Sequence, residues 1–197
     1  MIGEDIVSLF ASLGDPGMVM AIIAIIAFDG IVFPIVPEVW TVFIFGTDPS
    51  LGWAVAIIVA SGVGSLVANF TLYYLVRAAK LPQRIKDVMT KYTDFLVVHD
   101  ERLLLLNRIA PVVPYTGAFM AVNKWDLRKC AVYIFIGSVA KAAVVVALAW
   151  LSYENLRADL APWVAIIAVA VVLVLSIIAS YIYRRRIRLR GDAPRSQ

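Results

Sequence analysis

Pro34-Ile35-Val36-Pro37 and Pro111-Val112-Val113-Pro114 are nearly the same phrase written twice into apolar sequence, and their reading decides the fold. Each interrupts a run, residues 17–46 and 103–122, that would otherwise read as membrane helix. Proline has no amide hydrogen and its ring clashes with the preceding turn, so a helix that enters either phrase has to stop there. Asp29 and Glu38 flank the first phrase and Arg108 precedes the second. Ionisable groups therefore stand where a membrane helix is most apolar, which is costly in hydrocarbon and by default marks a functional site.

Working outward, the 197 residues are 62% hydrophobic with a mean hydropathy of +0.87, against about 45–50% apolar content in soluble domains. The chain reads as an integral membrane protein, with one membrane domain over residues 1–183 and a basic tail over 184–197. Glu4, Asp5 and Asp15 stand where a cleaved signal would carry positive charge, so none is expected. The lone Cys130 excludes an internal disulfide. His99, the single histidine, has no second ligand clustered with it, so neither a metal nor another cofactor is expected. Without a His-Glu-x-x-His or a Gly-x-Ser-x-Gly the chain does not read as an enzyme. Gly62-Val63-Gly64 lies inside a span and is no nucleotide loop, and no nucleic-acid partner is expected.

The net charge of +4 is unevenly placed. No Lys or Arg precedes Arg77; cations then cluster at Arg77 to Arg102, at Lys124 to Lys129 and from Arg184 onward. The positive-inside rule assigns all three clusters, and so the C-terminus, to the cytoplasm of a multi-pass plasma-membrane protein. The segment between the first two clusters must then enter and leave on the same side. Its halves, Leu103 to Ala110 and Tyr115 to Val122, are each about 12 Å long against a core of about 30 Å, which suits a re-entrant hairpin. The run 17–46 reads as a second hairpin from the outer side, although residues 17–36 alone could also make a full span. True spans are expected at 51–76, 130–151 and 163–183, with an interfacial amphipathic helix at 82–98. The expected fold class is all-α: two inverted hairpins, each followed by a span, then a last span. Broken helices meeting at the midplane are a transporter architecture.

Desolvation drives Asp29 and Glu38 toward the neutral form unless a cation is near, so either can carry a proton. Arg108 keeps its charge and needs an anion, either one of those acids or a substrate phosphate. Lys141, about 16 Å from either end of its span, needs a partner too. Two readings of the four stay open: a closed set that neutralises itself and fastens the hairpins, or a site for substrate and ion. Asn69 can hydrogen-bond across helices or touch substrate. Ala60, Gly64 and Ala68, with Ser61 and Ser65 adjacent, form a small-residue packing stripe that lets helices approach closely, within the chain or in a homodimer.

The run Asp29 to Glu38 resembles the first re-entrant motif of the DedA family, also called the VTT or SNARE-associated superfamily. Asn69, Tyr73 and Arg77 match its Asp-x-x-x-Tyr-x-x-Gly-Arg pattern, with Asn for Asp and Val76 for Gly. Arg108-Ile109-Ala110-Pro111 matches the start of its second hairpin motif. The chain departs where the family carries a second arginine, since Pro114 stands there, and Thr116-Gly117-Ala118 is similar instead to the small multidrug export proteins. The resemblance implies transport of a lipid-linked phosphate, as a polyprenyl phosphate flippase coupled to protons or sodium, or phospholipid scrambling. On that reading Arg108 binds the head group, Lys141, Asn69 and Tyr73 assist, Asp29 and Glu38 couple the ion, and Pro34, Pro37, Pro111 and Pro114 break the hairpins. Export of small cationic compounds, with the acids as binding site, is the alternative.

Overall fold

The computed structural model describes residues 12, 14–32, 36–79, 101–109, 115–155, 160–171, 174 and 178, with side chains except those of Leu106, Arg108 and Ile109. Every element among these residues is a helix. In chain order they are α1 (Gly14–Ile31), α2 (Pro37–Phe45), α3 (Leu51–Ala78), α4 (Leu103–Ile109), α5 (Thr116–Asn123), α6 (Leu127–Asn155) and α7 (Ala161–Val171). Three of them, α1, α3 and α6, are long and apolar enough to cross a membrane. The expected spans at 51–76 and 130–151 are thus present and longer than expected. The third, 163–183, is described only as α7 and two further residues, and the amphipathic helix 82–98 lies outside the described residues.

Local chemistry sets where the two helices start. The Ser50 hydroxyl caps α3 by accepting from the Trp53 amide at 3.3 Å. The Asp126 carboxylate accepts from the Arg128 amide at 2.9 Å, so α6 starts ahead of its apolar run and carries Arg128 and Lys129 on its first turn.

Polar and apolar residues are distributed inside out relative to a soluble protein. Val55, Val59, Val63 and Val67 form an exposed stripe along α3, while Ser61, Ser65 and Asn69 on the same helix are buried. Val132, Ile136 and Val144 repeat the exposed face on α6, where Ser138 is buried. Such a surface is stable only against hydrocarbon, which makes the protein membrane-embedded and multi-pass.

Both broken runs turn back on themselves. Thr47, just past α2, has its hydroxyl 3.5 Å from the Met18 sulfur near the start of α1. The Asp126 amide, just past α5, donates to the Glu101 carboxylate ahead of α4 at 3.1 Å. The reversals carry the same backbone signature: Val36 at φ 51° caps α2 and Tyr115 at φ 52° caps α5, both left-handed and neither glycine. Their registers differ, because Val36 lies between its two prolines and Tyr115 directly follows the second. Pro34, Pro111 and Pro114 lie outside the described residues; Pro37 occupies the first turn of α2.

The loops close at opposite ends of an antiparallel α3–α6 pair. Trp53, Ile57 and Ala60 pack with Val145, Val146 and Ala149 at one end, and Tyr73 packs with Cys130 and Ile134 at the other. Phe45 lies against Trp150 and Tyr153 at the first end; Leu104 and Met120 join the cluster at the second. The outgoing limbs pack on the helix that follows them, α1 on α3 and α4 on α6, and the returning limbs pack chiefly on the other long helix, α2 on α6 and α5 on α3.

Small residues permit these approaches. A Cβ on Gly30 would lie 2.6 Å from that of Ala68, and one on Gly64 would lie 3.0 Å from the Ile23 carbonyl oxygen. The Ala60, Gly64 and Ala68 stripe is therefore consumed inside the chain by α1, and a homodimer would need another surface. α7 joins the same core through Ala165 and Val169, with Trp163 edge-on to Phe43.

Candidate functional site

Lys141 stands at the midpoint of α6 and Ser65 close to the midpoint of α3, each about 20 Å from the helix ends at the α-helical rise. At that level the first turn of α2 meets α6, and Glu38 forms an ion pair with Lys141. Glu38 is 6% exposed, while the Lys141 side chain keeps 35% of its surface. The carboxylate sits in the first turn of α2, where the helix dipole favours negative charge. Of the sequence readings for Lys141, the structure selects the carboxylate partner.

A cavity of about 50 Å³ opens beside the pair. Ile26 and Asp29 of α1, Pro37, Glu38 and Thr41 of α2, Ser61 and Ser65 of α3, and Ser138, Lys141, Ala142 and Val145 of α6 contribute to it. Asp29 and Glu38, expected to act together, are thus brought to one cavity with Lys141. Thr41 donates to the Pro37 carbonyl at 3.0 Å and Ser61 to the Ile57 carbonyl at 2.8 Å. Ser138 is 5% exposed, and its Oγ has no hydrogen-bond partner among the described residues.

Asn69 and Tyr73 are used differently. The Asn69 amide nitrogen donates to the Ser65 carbonyl at 2.8 Å, and its oxygen accepts from the Thr116 hydroxyl. Gly117 follows, so close to α3 that a Cβ would overlap the Asn69 carbonyl oxygen. Asn69 therefore latches the tip of the second hairpin to α3. Gly30 at the tip of the first lies on neighbouring Ala68, so the two reversals converge at one level. Tyr73 is buried in the core; its hydroxyl accepts from Arg77 Nη1 at 2.9 Å, and the guanidinium carbon lies 6.0 Å from the ring centre. Arg108 lies on α4, and its side chain is outside the described residues.

The sequence reading passed over Ser138 and Thr41 and took Ser61 and Ser65 as packing residues. A signal was present: Ser138 precedes Lys141 by three residues and shares its helix face, and Thr41 stands likewise to Glu38. A residue three positions from an intramembrane charge, on the same face, is a candidate member of its site.

Fold and site together define a class: a multi-pass helical membrane protein with two reversed helical segments, the first of which brings its acids to a lysine at the midpoint of α6. Comparison with protein-family models, with curated proteins and with solved structures found no match to this chain.

Proposed function

We propose that this chain is a DedA-type transporter of the plasma membrane that moves a lipid-linked phosphate, a polyprenyl phosphate, from one leaflet to the other with proton or sodium coupling. Residues 17–46 and 103–122 are then re-entrant hairpins from opposite faces, and the C-terminus is cytoplasmic. The observation that carries this reading is the crossed docking of the two returning limbs, α2 on α6 and α5 on α3, with an acid–lysine centre where α2 meets α6 and α5 latched to Asn69, one turn beyond the Ser65 that lines the same cavity. Two broken elements entering from opposite ends and bounding a polar centre suit alternating access, each exposing the centre in turn. Glu38 and Asp29 serve as the coupling acids, and Arg108 holds the phosphate through its fixed fork of donors.

The cavity size favours this reading over export of small cationic compounds. Pockets that enclose organic ligands run to about 300 Å³ and above, whereas the space beside the acids is about 50 Å³. A polyprenyl phosphate needs only its head group recognised, with its chain left in lipid.

The test is translocation of a chemically trapped polyprenyl phosphate in proteoliposomes, with and without a pH gradient or sodium gradient. Gradient-dependent translocation that is lost in Arg108→Ala and Glu38→Gln is expected. Equal translocation by Arg108→Ala sinks the phosphate reading, and equal movement of a diacyl phospholipid without a gradient makes the protein a scramblase.

A further inference from the structure

A buried hydroxyl left without a partner costs about 1–3 kcal/mol, so the Ser138 Oγ calls for an explanation. It borders a cavity whose other polar groups among the described residues, Lys141 apart, present oxygen: the hydroxyls of Thr41, Ser61 and Ser65 and the carboxylates of Asp29 and Glu38. Thr41 and Ser61 spend their protons on helix carbonyls, which leaves lone pairs for the cavity. Oxygen donors of this kind suit a hard cation. The cavity, about 50 Å³, has room for an ion with a water or two but not for an organic cation. Glu38 already holds one compact monovalent cation, the Lys141 ammonium, on a flexible and partly exposed stem.

We propose that Glu38, Ser61, Ser65 and Ser138 form a sodium site in which the Lys141 ammonium is the resident occupant and is displaced when the ion enters. The inference rests on Glu38 being the coupling acid and gives Lys141 the role of tethered competitor. Exchange of one monovalent cation for another leaves the buried charge unchanged and avoids the cost of burying an additional charge. Among the described residues the charged groups at the cavity are Asp29 from α1, Glu38 from α2 and Lys141 from α6, and α3 supplies serines. A displaced ammonium becomes available to an anionic head group, which would tie ion entry to phosphate binding.

The test is thermal unfolding of the full-length protein in detergent, titrated with sodium chloride against choline chloride at constant ionic strength and pH. Wild type should show a saturable, sodium-specific rise in Tm. Ser138→Ala should weaken the sodium midpoint roughly ten- to hundredfold, as ligand-shell losses do. Lys141→Gln should tighten it; a competitor that holds the site nine-tenths of the time masks affinity about tenfold.

Equal Tm in sodium and choline for wild type and Lys141→Gln, or an unchanged sodium midpoint in Ser138→Ala, overturns the site. So does a response that follows pH and ignores sodium. Ser138→Ala only deletes a hydroxyl and carries the test if Lys141→Gln does not fold. No lipid substrate is needed, so the two proposals fail separately: translocation without a sodium effect refutes the ion site, and sodium binding without translocation refutes the lipid reading.

Discussion

Replacing Gly117 with alanine tests the convergence of the two hairpins. The added Cβ would overlap the Asn69 carbonyl oxygen and lie 3.0 Å from its carbonyl carbon and 3.1 Å from its Cα. All three are backbone atoms in the middle of α3, so no side chain can rotate away. α5 has to retreat by about 1 Å to restore ordinary contact. Overpacking of this kind costs about 1–3 kcal/mol, and the retreat stretches the bond from Thr116 to Asn69, worth a further 0.5–1.5 kcal/mol or so. Alanine's helix preference, about 1 kcal/mol, offsets part of this, so the expected net loss is about 0.5–3.5 kcal/mol, read from reversible unfolding in mixed detergent micelles. Gly52→Ala is the control, because nothing lies within 4 Å of its Cβ and alanine favours a helix by about 1 kcal/mol. A Gly117→Ala protein as stable as wild type would refute the docking of α5 on α3, and with it the latch.

Glu38→Gln and Lys141→Met should each destabilise by about 2–3 kcal/mol, toward the low end for a buried pair because Lys141 is partly exposed; the double variant should recover most of the loss, and additive losses in the same unfolding assay would argue against the pair. Val36→Gly and Val59→Gly compare positions of equal exposure, 46% each: the first relieves a left-handed valine and should leave stability unchanged or raise it by about 1 kcal/mol, whereas the second, inside α3, should cost about 0.5 kcal/mol. In a Cys130→Ala background, single cysteines at Thr47 and Glu101 should react with impermeant thiol reagent from opposite sides of sealed vesicles; labelling from one side would contradict entry of the two hairpins from opposite faces.

Much of the fold was legible because its causes are local. Proline phrases stop helices wherever they lie, and long apolar runs make α3 and α6 whatever they pack against. The break between α1 and α2 and the short helices α4 and α5 follow from the same reading. The α6 boundary was less legible: the Asp126 cap carries the helix across Arg128 and Lys129, which an apolar count assigns to a loop. The site was legible only as a list of charges. Asp29 and Glu38 were expected to work together, and one cavity unites them; Lys141 was expected to need a partner, and whether that would be carboxylate or phosphate depended on which helix α2 would cross. That Ser61 and Ser65 also border the cavity was not legible, because the spacing that suits close helix packing also suits a polar face directed inward.

By itself the sequence determined that this chain lives in a membrane, that it contains long apolar helices and two proline-broken segments, and that charges lie within them. Those properties depend on backbone chemistry and transfer free energy, which act residue by residue. Only the tertiary structure decided that the returning limbs cross over, that Glu38 meets Lys141, that Asn69 latches Thr116, and that Ser138 faces a cavity without a hydrogen-bond partner among the described residues. Pairings between distant segments depend on the rotational phase and depth at which helices pack, and those are set by the whole set of contacts at once.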